Sequence, residues 1–160
     1  MTQMMTQLLL GLWMLQLVDA ACTCPAGAAV CSLQDLVSST GQDDCTVGAG
    51  GFLAASISIR DLSQLQAVDL TGLARVGGEL RVTGCPELTE LLLPSLEVVD
   101  GVLFFEGCRA MTSLSLPSLV SVGAWTGVQM MNLVSLELPV LRSTTNLYMD
   151  QLNSLSYLVR

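Results

Sequence analysis

The chain has 160 residues, 51% apolar, 12% charged and 4% aromatic, with a formal charge of −8, no histidine and no lysine. That length holds one domain with a real core, and the apolar fraction excludes disorder. The acidic balance argues against nucleic acid, and the lack of histidine removes the commonest general base and metal ligand.

Residues 8–18 (LLLGLWMLQLV) form an apolar run of eleven, too short to cross a bilayer as a helix. Val18-Asp19-Ala20 follows, with small or modest residues placed for a cut after Ala20, so residues 1–20 read as a secretory signal peptide. The segment before the run, MTQMMTQ, carries no basic side chain, which departs from the usual leader. Its removal takes Asp19 and brings the charge from −8 to −7.

Six cysteines remain, an even number that suits an oxidising compartment. Cys22, Cys24, Cys31 and Cys45 crowd the mature N-terminus as disulfide candidates, and their three pairings are equally open. Cys22-Thr23-Cys24 lacks the spacing of a tetrahedral zinc site, and no metal or cofactor is expected. Ser32-Leu33-Gln34-Asp35 begins like a capping box, Leu33, Leu36 and Val37 make one apolar face, and Thr40-Gly41 stops the pattern. Residues 21–45 therefore read as a disulfide-pinned N-terminal cap with a short helix over 32–39.

The remainder, residues 46–160, repeats. Three LPxL tetrapeptides place Pro94, Pro117 and Pro139 23 and 22 residues apart, and Leu70-Thr71-Gly72-Leu73 is a degenerate copy one step earlier. One coil puts apolar residues at Leu80, Val82, Leu88, Leu91, Leu93, Leu96 and Val99. The next repeats them as Leu103, Phe105, Met111, Leu114, Leu116, Leu119 and Val122, and the coil before reads Ile57, Ile59, Leu65, Val68, Leu70, Leu73 and Val76. Pairs two apart are short strands with one buried face, and Gly, Pro and Asp turn the chain between them. A single coil buries too little to order itself, so coils must stack in parallel register. The expected fold is an all-β parallel β-helix, a β-solenoid of ~23-residue coils. One coil is a residue short, and residues 124–129 are where the register is least certain. Residues 146–160 make an incomplete last coil, so the chain is expected to be a fragment or to have that end covered by something else. Cell-wall or membrane association would then run through a missing C-terminal region.

The run Pro94, Leu96, Val99, Gly101, Leu103, Phe105, preceded by Leu73, Val76, Gly78, Leu80 and Val82, resembles the receptor L-domain over roughly residues 31–160. That module occurs in insulin-receptor and epidermal-growth-factor-receptor ectodomains and in glycolipid-anchored fungal cell-wall proteins. The BspA-like leucine-rich repeat is the other similar family, and it typically has one more residue between proline and glycine. The resemblance implies a secreted right-handed β-helix used in recognition, and it carries over no ligand.

Cys85 and Cys108 occupy equivalent places in adjacent coils, where parallel Cβ vectors would strain a disulfide, so a buried thiol ladder is the favoured reading. The acidic residues recur at no fixed repeat position and read as a solvated face. Outward positions between the inward strand residues are Ser58, Arg81, Phe104 and Tyr148, with Trp125 or Thr126 in the short coil, a candidate strip for a sugar or peptide. The expected function is therefore a secreted or cell-surface, non-catalytic recognition or structural module binding an extracellular protein or glycan. The alternatives are an adhesin-type leucine-rich-repeat surface protein and a carbohydrate-active β-helix enzyme.

Overall fold

The computed structural model describes residues 21–39, 45–130 and 132–159. The expected leader over residues 1–20 and the helix stop at Thr40-Gly41 lie outside the described residues. The described residues open with strands β1 (Ala21–Cys22) and β2 (Val30–Ser32), helix α1 (Leu33–Ser39) and a 3-10 turn (Ala49–Gly51). There follow β3 (Phe52–Leu53), β4 (Ser56–Arg60), β5 (Ala67–Asp69), β6 (Arg75–Val76), β7 (Leu80–Thr83) and β8 (Glu90–Leu92). Next come β9 (Val98–Val99), β10 (Leu103–Glu106), β11 (Ser113–Ser115), β12 (Ser121–Gln129), β13 (Ser135–Glu137), β14 (Ser143–Asp150) and β15 (Tyr157–Val159).

These short strands stack in parallel as a β-solenoid of about four turns. One ladder runs β1-β4-β7-β10 into the C-terminal half of β12, and a second runs β3-β6-β9 into its N-terminal half, so the long strand β12 fuses the two into one sheet. The third side is made of two three-stranded sheets, β2-β5-β8 and β11-β13-β15. Register follows the repeat: Ile57 pairs with Leu80, Leu80 with Leu103 and Leu103 with Thr126. The joints are laddered too, with Ala74, Glu97, Val120 and Arg142 each donating an amide to the carbonyl one coil earlier.

Inward columns build the core. Ile59, Val82, Phe105 and Val128 form one, Leu70, Leu93, Leu116 and Leu138 another, and each of these is 2% exposed or less. In the last coil the inward positions surface: Met149, next after Val128 in the first column, is 38% exposed, and Leu158, which follows Leu136 in a third, is 41% exposed. Among the described residues no further coil lies over them.

The repeat length has a local cause. Gly84 and Gly107 hold left-handed φ values of 63° and 68°, and Asp61 and Gln151 hold 55° and 57° at the matching positions of other coils. Each turns the chain out of a strand, and glycine does so without the steric cost of a Cβ. The short coil drops this residue. Glu106 pairs with Gln129, but Ser113 pairs with Ser135, so the missing position lies between Gln129 and Ser135, where Met130 follows the strand directly. This corrects the expected location in residues 124–129. A second offset, between Val122 and Trp125, is a bulge in β12 against β14.

The cap is itself a partial coil. Cys22 pairs with Ile57 and Cys31 with Val68, so β1 and β2 extend two of the ladders. Disulfides Cys22–Cys45 and Cys24–Cys31 close it, with Cα separations of 5.6 and 5.7 Å. Helix α1 starts at the capping box read from the sequence: the Ser32 amide donates to Asp35 at 2.8 Å, and the Asp35 amide donates to the Ser32 hydroxyl at 3.3 Å. Leu36 of α1, 1% exposed, joins the core.

Candidate functional site

The outward row on the first ladder is set by the pairing Ser58–Arg81–Phe104–Gly127–Tyr148. Arg81, Phe104 and Tyr148 thus stand where the alternation of β7, β10 and β14 places them. Trp125 does not enter the row; it pairs with Asn146, two residues earlier on the strand. Thr126 does not enter it either, being inward and 1% exposed, with its hydroxyl 3.2 Å from that of Thr144. Gly127 takes the position because the residue missing from this coil falls after β12 rather than before it, which keeps β12 at full spacing from β10.

The row has an internal order. Glu79 accepts from Arg81 Nε at 2.6 Å, and the Arg81 guanidinium lies 5.9 Å from the Phe104 ring centroid. Tyr148 is 49% exposed and donates its phenol to Asp150 at 3.2 Å. A matching device stands on the second ladder, where Arg75 lies 5.4 Å from the Phe52 ring and donates twice to Asp100, at 3.0 and 2.9 Å.

At the N-terminal end of the row the surface sinks into a pocket of about 310 Å³, lined by Ala21, Ser56, Ile57, Ser58, Arg60, Glu79 and Arg81. Sequence alternation places Ser58 outward; in the structure it is 9% exposed, and its hydroxyl has no hydrogen-bond partner. Ser56 Oγ accepts from the Glu79 amide at 3.0 Å and so joins β4 to β7 at the pocket floor. The pocket has no signature in the sequence, because its walls come from three strands 20 or more residues apart.

Cys85 and Cys108 carry free, buried thiols that donate to the carbonyls of Thr83 and Glu106. Burial pushes both thiols up, Cys108 to about 12. They belong to the core column of Leu62, Met130 and Leu152 rather than to the row. Among the described residues no three His, Cys, Asp or Glu side chains gather as metal ligands, and no helix is long and apolar enough to cross a membrane. The two disulfides suit an oxidising, extracellular environment.

Comparison with family models, with curated proteins and with solved structures returns no match to this chain.

Proposed function

We propose that this chain is a secreted or cell-surface, non-catalytic recognition module that binds an extracellular protein or glycan through the face carrying Arg81, Phe104 and Tyr148. The observation that carries this reading is the continuity of that row with a polar pocket on one parallel ladder, Ser58 and Arg81 being common to both. An arginine ordered against an aromatic ring is the kind of group on which binding energy concentrates. The apolar run of residues 8–18 supports export, the disulfides support an extracellular location, and the L-domain resemblance supports recognition over catalysis. The chain has no histidine, and its two free thiols are buried with raised pKa, so neither is activated as a nucleophile.

The test is a glycan and extracellular-domain array probed with the secreted protein. Binding is expected to fall about tenfold or more on Phe104→Ala or Tyr148→Ala, as for buried aromatic anchors, while Glu90→Lys on another side binds normally. Partners indifferent to both aromatic substitutions would overturn the assignment of the face.

A further inference from the structure

The pocket beside Arg81 has a chemistry of its own. Two of the chain's six arginines, Arg60 and Arg81, line it against a single carboxylate, Glu79, inside a chain of net charge −8. Arg60 has no ion-pair partner among the described residues, whereas Glu79 holds Arg81 in place through Nε. Beside them Ser58 is 9% exposed, and its hydroxyl is buried and unpartnered. A buried hydroxyl without a partner carries a desolvation cost that a ligand would relieve by hydrogen bonding to it.

We propose that this pocket binds the carboxylate of an acidic sugar, a hexuronic acid carried by a glycan; the inference rests on the recognition face described above. Arg60 supplies the unpaired positive charge, and Ser58 supplies a hydroxyl donor to the carboxylate or an acceptor for a sugar hydroxyl. A volume of about 310 Å³ suits a ligand the size of one sugar ring rather than an extended chain. The next ring of the glycan then lies beside the Arg81–Phe104 pair, one strand further along the same row.

Ligand-observed NMR on the secreted protein tests this with three probes: glucuronate, glucose and N-acetylglycine. Glucuronate alone is expected to bind. Arg60→Gln should weaken it about tenfold, the scale of one charge-assisted hydrogen bond. Ser58→Ala should weaken it severalfold while leaving the thermal midpoint unchanged or higher, because it removes an unpaired buried hydroxyl. That combination separates binding from a structural role. Equal binding of N-acetylglycine would make the site a peptide-carboxylate site and overturn the sugar assignment. Failure of glucuronate to bind, or binding that ignores both substitutions, would overturn the pocket. Array partners that still depend on Phe104 would leave the recognition face standing after such a failure, and glucuronate binding sensitive to Arg60 would survive if the face failed.

Discussion

Cys108 is 1% exposed, and its thiol is held far above the ordinary value of 9.0, at about 12, by burial first and by the neighbouring Cys85 second. Cys85 is raised for the same leading reason. Two consequences follow from that single fact. Neither thiol is a thiolate at neutral pH, so alkylation of native protein at pH 8 is expected to label neither, and unfolding in denaturant to expose both. The second consequence concerns stability. A folded pKa above the unfolded one means the native state holds its proton longer, so the contribution is complete below pH 9 and is lost as pH rises through 9 toward 12. Urea midpoints measured from pH 8 to pH 11 should therefore fall, and Cys108→Ala should flatten that fall. An unchanged slope in the variant would show that the loss arises elsewhere. Glycines act at the same scale by what they leave out: a Cβ on Gly101 would stand 2.7 Å from the Gly78 carbonyl, too close for the coils to keep their spacing.

Each strand of the solenoid is two to nine residues long, and its identity lies in which side chains it turns inward. In β8 the alternation is sharp, with Leu91 8% exposed between the exposed Glu90 and Leu92. Leu91→Asp would bury an unpaired charge against Val68, its partner on β5, and is expected to abolish secretion of folded protein, while Glu90→Lys is tolerated. Well-folded Leu91→Asp protein would refute the register of this ladder. At the N-terminus the same logic explains why the cap consists of strands as well as a helix. Cys22 and Cys31 are both buried completely, and each continues a column that the repeat begins, so the disulfides anchor the first rung of two ladders. Asp35 is held below the usual carboxylate range by hydrogen bonds from Ser32, consistent with an ionised cap at the first turn of α1.

At the scale of the whole molecule, stability is shared between neighbouring coils and cannot be assigned to any one of them. The two ends differ. The N-terminal rung is covered by α1 and tied by two disulfides, whereas in the last coil Leu147 is only partly buried and Met149 and Leu158 are exposed. Hydrogen exchange should therefore protect amides of β7 and β10 most and those of β14 and β15 least, in a gradient along the stack. Uniform protection from β4 to β15 would mean that the solenoid opens only as one unit. The asymmetry also places the pocket, built on β1, β4 and β7, near the more stable end, and Tyr148, on β14, near the less stable one.

The solenoid, its period and its inward columns were legible in the sequence because burial imposes a strict alternation that recurs every coil: Leu80, Leu103 and their partners advertise themselves by spacing alone. The capping box at Ser32 was legible for the same reason, as a local interaction spanning three residues. The pairing of the four N-terminal cysteines was open, since spacing does not say which Cβ atoms meet. The short coil was visible, but not the position it lacks, because the left-handed turn at Asp61, Gly84, Gly107 and Gln151 uses different residue types for one backbone state. That placement decided that Gly127, not Trp125, stands between Phe104 and Tyr148. The pocket and the buried Ser58 hydroxyl belonged wholly to the tertiary structure. Their walls are neighbours across strands, and alternation along one strand shows which way a side chain points, not what the adjacent coils set around it.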